Sequence, residues 1–391
     1  MSIKGFNSKA VHAGDLYIPE IGNVTTPIFE DSTYRYPNNS ESTIIDNTSK
    51  STFLYSRWGN PTVQSFENKY KSLEKTDHAV AFSSGMGAIT ATVLSIMKSG
   101  DKMLAINVLY GQTYYFFART LKSYGITVDM VSVDDMNKLN ISKENYKMIY
   151  IESIPNPLMD VLDIKKIGEY CRKKGIILVV DATFASPYNQ TPVDFGADII
   201  IHSGTKYIGG HSDILIGVVG CNSDDYYNGI VGMRKTLGAT PDAFQAYLAY
   251  RGLKTLGLRM ERHNINGMKI AEFLSSSDKI MEVFYPGLRQ GKYYEIAKTN
   301  LRGFGGMISF KLKGGIAESH KFIGSLEIPM PAVSLGGVES LITIPAETTH
   351  SEMSEEERNK SGITDNLIRL SVGIEDSEDL IEDLQQALAK I

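Results

Sequence analysis

Short apolar runs that stop abruptly at a polar residue recur through the middle of the chain. Ile176–Val180 is apolar throughout and halts at Asp181; Ile199–Ile201 halts at His202-Ser203. His78–Phe82 leads into Ser83-Ser84-Gly85-Met86-Gly87-Ala88, Met103–Asn107 precedes Tyr110-Gly111, and Met148–Glu152 precedes Pro155-Asn156-Pro157. Runs of this length, rich in β-branched residues, read as strands buried on both faces of a parallel sheet. Helical periodicity follows between them, through Ile89, Val93, Leu94 and Met97 and again over Leu162–Lys174. Strand–helix alternation across residues 61–255 predicts a mostly parallel central sheet with helices on both faces. Leu215–Gly220 predicts one more strand, at the sheet edge.

The pattern changes on either side of that region. Residues 1–60 are rich in Asn, Ser, Thr and Pro and keep no steady period. Their apolar and aromatic groups (Ile28-Phe29, Tyr34-Arg35-Tyr36, Phe53-Leu54-Tyr55) predict an arm packed on another subunit rather than a free tail. From residue 256 a long amphipathic helix, Leu256 to about Phe273, opens a smaller α/β domain over 256–391. Met307–Leu312 and Leu367–Ser371 read as its strands and Asp376–Ile391 as a closing helix.

Composition narrows the class. The chain has 391 residues, 42% hydrophobic and 22% charged, enough for two domains and a large core. A net charge of −5 argues against nucleic acid as a partner. No apolar run approaches the roughly 18 residues of a membrane span, and no leader pattern follows Met1, so a cytoplasmic enzyme is expected. Cys171 and Cys221, the two cysteines, lack metal spacing and read as reduced buried thiols. His202 and His211 lack a third ligand at useful spacing, so no metal is expected.

The chemistry gathers at the strand ends. In open α/β sheets ligands bind beyond the carboxyl ends of the strands. One strand end offers Asp181, followed by Ala182-Thr183. The next offers Ser203-Gly204-Thr205-Lys206-Tyr207. A lysine amine for a Schiff base, an anion for a pyridinium nitrogen and small polar donors for a phosphate are what pyridoxal 5′-phosphate (PLP) requires. Desolvation of Lys206 would lower its pKa, as nucleophilic amine chemistry needs. The glycine-rich turn at Ser84-Gly85-Met86 would present backbone N–H groups and a helix N-terminus to the phosphate. Tyr110 is placed to stack on the cofactor ring and to shuttle a proton, and Asn156 to bond its phenolic oxygen. Arg369 interrupts the apolar strand Leu367–Ser371, and a buried arginine there suits the α-carboxylate of an amino-acid substrate.

Together these residues resemble the trans-sulfuration family of PLP enzymes, which includes cystathionine γ-synthase, cystathionine γ-lyase, methionine γ-lyase and the homoserine-ester sulfhydrylases. The resemblance runs through Tyr55–Thr62, Ser83–Ala88, Asp181–Ala185, Ser203–Tyr207 with His211-Ser212-Asp213, Arg251–Leu256, Ser334–Gly337 and Arg369–Gly373. It implies the aspartate aminotransferase-like fold, fold type I. It implies Lys206 as Schiff-base lysine and proton carrier, Asp181 on the pyridine nitrogen and Tyr110 on the ring. It implies Gly85, Met86, Ser203 and Thr205 at the phosphate, with Ser84 and Thr183 in the same cofactor site. Tyr55 and Arg57 would complete the phosphate site from the neighbouring subunit, in a homotetramer built as a dimer of dimers. Asn156, Ser334 and Arg369 would hold the substrate carboxylate.

Three departures and one likeness bear on the substrate. Cystathionine-handling members usually have Glu before Ser-Leu-Gly-Gly, where this chain has Val333. Cystathionine γ-lyases often have an arginine a few residues after the stacking tyrosine, where this chain reads Thr113-Tyr114-Tyr115-Phe116. Many methionine γ-lyases have cysteine where this chain has Gln112. Thr348-Thr349-His350 is similar to the sulfhydrylases. Val333, with no evident receiver for a charged distal group, points to γ-elimination from methionine- or homocysteine-like amino acids. Cystathionine γ-lyase, cystathionine γ-synthase and O-acyl-homoserine sulfhydrylase activities are the alternatives. A different class, the Ser-x-x-Lys serine hydrolases, would need Ser203 to open a helix.

Overall fold

The computed structural model describes residues 3–35, 53–142, 144–349, 351, 356, 358 and 362–391; Tyr36 and His350 lie outside them. Seven strands form the larger sheet: β1 (His78–Phe82), β2 (Lys102–Ile106), β3 (Thr127–Val131), β4 (Met148–Glu152), β5 (Ile177–Asp181), β6 (Ile199–Ser203) and β7 (Gly217–Cys221). Their order is β1-β7-β6-β5-β4-β2-β3. All run parallel except β7, which is antiparallel to both its neighbours. Ile199, Ile200 and Ile201 are fully buried, as are Leu178, Val179 and Val180. Each such side chain contributes about 1.5–3 kcal/mol on burial, so these runs hold the centre of the sheet.

Two expectations need correction. The strand expected at the edge from Leu215–Gly220 begins at Gly217 and lies inside the sheet, between β1 and β6. Its sequence is apolar on both faces and every residue is buried, which suits an interior strand. The actual edges are β1 and β3. The N-terminal region is not wholly irregular, for Phe6–His12 is helical. Lys69, fully buried, bonds the Ala10 and Val11 carbonyls at 2.9 and 3.0 Å and ties that helix to the body.

Five further strands form the second sheet: β8 (Ile280–Phe284), β9 (Met307–Leu312), β10 (Met330–Pro331), β11 (Leu341–Thr343) and β12 (Leu367–Ser371). The order is β10-β11-β12-β9-β8, antiparallel except for β10 against β11. The helices Leu256–Ser276 and Ser377–Leu388 cover it, burying Ile270, Leu274, Leu380 and Leu384 against Ile308, Phe310 and Ile368. No helix among the described residues is long and apolar enough to cross a membrane.

Candidate active site

The carboxyl ends of the parallel strands open into a cavity of about 1060 Å³. Ser84, Gly85 and Met86 follow β1, Tyr110 and Gln112 follow β2, Asn156 follows β4, Asp181 and Thr183 end β5, and Ser203, Thr205 and Lys206 end β6. Val333 and Ser334 close it from the loop before Leu341–Thr343, and Arg369 from the strand Leu367–Ser371. Fourteen of the residues expected at the site therefore meet in one place. Tyr55 and Arg57 do not line this cavity. Both are exposed; Arg57 bonds the Lys235 carbonyl at 2.7 Å and lies over the Tyr55 ring.

Lys206 Nζ donates to Ser334 Oγ at 2.7 Å. Burial, helped by the Arg369 guanidinium, lowers the Lys206 pKa to about 8. The neutral amine is thereby far more populated near neutral pH than on a surface lysine. Arg369 is itself buried on β12 and donates to Asn156 Oδ1 at 2.9 Å and the Ser334 carbonyl at 3.1 Å. No carboxylate of this chain pairs with it in either bond. Desolvation lowers its pKa to about 10, so an arriving anion would relieve a buried cation.

Asp181 Oδ1 accepts from the Thr183 N–H at 3.0 Å and the Thr183 hydroxyl at 2.6 Å, and Oδ2 accepts from Tyr150 at 3.3 Å. Thr183 Oγ1 in turn accepts the Ser203 N–H at 2.8 Å, which locks the ends of β5 and β6 together. Desolvation raises the Asp181 pKa, opposed by the Thr183 bonds. An ionised Asp181 here calls for a cationic partner, and a pyridinium N–H is one.

The phosphate-side turn is tightly packed. Ser84 caps the helix Gly85–Ile96, its Oγ accepting the Gly87 N–H at 3.0 Å. A Cβ on Gly85 would come within 2.9 Å of Ser203 Cβ, and one on Gly217 within 2.2 Å of the Ser84 carbonyl. Only glycine lets β7 and β6 press against this turn. What results is a helix N-terminus with Ser203 and Thr205 beside it, suited to an anion. Cradle, acid and desolvated amine fit PLP. Ser203 closes β6 and opens no helix, contrary to what a Ser-x-x-Lys hydrolase requires.

Three residues at or beside the site were not singled out by sequence. Glu152 ends β4, is buried and accepts the Tyr110 N–H at 2.7 Å. Arg119 lines the cavity and, among the described residues, makes no ion pair. It is a charge at the cavity wall that the reading of Thr113–Phe116 did not include. A π-type turn over Phe116–Thr120 carries an arginine to the cavity from further along the chain. Arg259 donates to the Tyr207 carbonyl at 2.6 Å and the Gly252 carbonyl at 2.7 Å, which holds the turn after Lys206. Local sequence could have flagged Glu152 as a charged end to an apolar run, but it does not report the partners of the other two.

Comparison with known proteins agrees with this geometry. Residues 7–389 match the family described as Cys/Met metabolism PLP-dependent enzyme. The chain is 41% identical over 386 residues to a cystathionine gamma-lyase of Dictyostelium discoideum, covering 98% of this chain and 97% of that one. It is 40% identical over 394 residues to an L-methionine gamma-lyase of Fusobacterium nucleatum subsp. polymorphum, covering 99% and 98%. It is similar to the crystal structure of cystathionine gamma synthase from Xanthomonas oryzae pv. oryzae in complex with aminoacrylate and cysteine. That likeness has a TM-score of 0.93 at 35% identity and covers 100% of this chain and 99% of that one. The chain belongs to the Cys/Met metabolism family of PLP-dependent enzymes.

Proposed function

We propose that this PLP-dependent enzyme is a carbon–sulfur lyase acting at the γ-carbon of methionine- or homocysteine-like amino acids. With methionine and water it would release 2-oxobutanoate, ammonia and methanethiol. Val333 carries the reading. It sits beside Ser334 and lines the cavity where an acidic residue would receive a distal ammonium. An unpaired distal charge gains nothing beside valine, whereas a methyl thioether packs against it without loss.

Bound to Lys206, PLP supplies an electron sink for the substrate's α-carbon. Asp181 would hold its pyridine nitrogen in the protonated form, and Tyr110 would cover its ring. Ser84, Gly85, Met86, Ser203 and Thr205 would hold its phosphate. Arg369, with Asn156 and Ser334, would orient the substrate's α-carboxylate. The Lys206 amine would remove the α-proton and then a β-proton. Tyr110 would protonate the departing sulfur as general acid.

Arg119 favours a second reading. An exposed guanidinium in the cavity wall offers a partner to a distal carboxylate, as in cystathionine. Measuring kcat/KM for methionine and cystathionine, and product formation from an acyl-homoserine with sulfide, decides between them. A tenfold or greater preference for cystathionine in the parent enzyme would overturn the methionine reading.

The active site is further proposed to be shared between subunits of a homo-oligomer. An exposed Arg57 outside its own chain's cavity supports this. An arginine–phosphate bond contributes about 1.5–3 kcal/mol. Inactive Arg57→Ala and Lys206→Ala chains, mixed and reassociated, should regain part of the activity. No recovery in oligomers shown to have exchanged subunits would refute it.

A further inference from the structure

Glu152 ends β4 and is 7% exposed. Its register partner across the sheet is Asp181, the last residue of β5. Two carboxyl groups thus end neighbouring parallel strands, and both line the same cavity. Around Glu152 stand that second acid, the backbone N–H groups of Tyr110 and Asn156, and the Tyr150 hydroxyl, which bonds Asp181 at 3.3 Å. Oε1 accepts the Tyr110 N–H at 2.7 Å, and the Asn156 backbone N–H faces the same carboxyl and favours its charged form. One side chain therefore bonds the loop after β2 and faces the loop after β4. The first loop carries Tyr110 and the second carries Asn156, whose Oδ1 in turn receives Arg369 at 2.9 Å. Tyr110 is 45% exposed, and besides this bond its carbonyl accepts the Tyr114 N–H at 2.9 Å.

We propose that Glu152 is a positioning residue for the reaction, a single acceptor that sets Tyr110 and Asn156 relative to Asp181. The inference rests on the site residues assigned above, and not on which sulfur amino acid is cleaved. Two neighbouring carboxylates in a desolvated site do not both stay ionised. Burial, reinforced by Asp181, pushes Glu152 up to about 8. A proton held on Glu152 would leave the charge on Asp181, where the cofactor needs it. It is the acceptor oxygen of Glu152 at its observed position, not its charge, that matters.

Three substitutions test this, each assayed with whichever substrate the parent turns over fastest. Glu152→Gln keeps the acceptor oxygen in place and lacks the charge. Glu152→Asp keeps the acid and withdraws the acceptor. Glu152→Ala removes both. Displacement of a reacting group by about 1 Å can cost on the order of 100-fold in rate. The Gln variant should stay within about threefold of the parent in kcat, and the Asp and Ala variants should fall by about 100-fold. Weakened ring cover should also appear without turnover, as about a tenfold weaker Kd for PLP on titration of the apoenzyme. Thermal melts separate this from simple destabilisation. If Glu152→Ala does not fold, the Asp and Gln variants decide. Activity in Glu152→Asp equal to the parent's, or a Gln variant as impaired as the Asp variant, overturns the proposal. So does a set of variants that lose melting temperature but keep the parent's kcat and PLP affinity per folded molecule.

Discussion

At the floor of the cavity Asp181 takes two bonds from Thr183 and one from Tyr150, while at its mouth Val333 and Leu215 stand 58% and 63% exposed. The floor is built on the ends of β4, β5 and β6, so its side chains are located by the register of the sheet. The mouth is built on the short helical turns over Tyr110–Arg119 and on loops at Val333-Ser334 and Thr348-Thr349. A strand end cannot move without dragging its neighbours, whereas a loop can be rebuilt at little cost. On the proposed reading, the floor would set which cofactor chemistry is available and the mouth which substrate receives it.

The largest effect should come from the floor. Lys206→Ala should abolish turnover, and borohydride should then trap no cofactor on the chain. Peptide mass spectrometry of the treated protein reads this directly. Full activity in that variant would remove Lys206 from its role. Asp181→Asn comes next. It should keep much of the bound cofactor yet lose two to three decades in kcat, about 3–4 kcal/mol of barrier lowering at about 1.4 kcal/mol per decade. Near-normal turnover would mean that the ring nitrogen needs no anion here.

Substitutions at the mouth should change selectivity more than rate. Val333→Glu should shift the kcat/KM ratio about tenfold toward cystathionine by giving its distal ammonium a partner, a difference of about 1.4 kcal/mol. Arg119→Ala should shift it the other way if a distal carboxylate reaches that guanidinium. An unchanged ratio in both would show that the mouth does not select substrate, and would break the comparison. The smallest effect concerns the pH at which the amine becomes available. In the apoenzyme, PLP uptake should rise with pH through about 8, the lowered Lys206 value, because only the neutral amine reacts. Arg369 contributes to that lowering, so Arg369→Leu should move the midpoint upward. A midpoint that stays put would leave burial as the sole cause.

Much of the floor was legible beforehand. Runs buried on both faces are apolar at every position, so their ends, and hence Asp181 and Ser203, stand out in one dimension. Lys206 and Arg369 are conspicuous for the same reason, as charges set beside or within such runs. Strand β3 was not legible, since Asp129 interrupts Thr127–Val131 and its residues are only partly buried, as befits an edge. Nor was the place of β7, because an apolar run does not say which strands it will pair with. Glu152 and Arg119 belong to this second class. Glu152 gains its meaning from a loop after β2 and a carboxylate on β5, and Arg119 from a π-type turn that rotates it to the cavity. The local run of apolar residues determined the central strands, and the residue types at their ends the cofactor chemistry. Only the folded chain decided which of those ends face each other and what lines the mouth, because contacts between distant segments depend on strand order and register, which no local run of residues encodes.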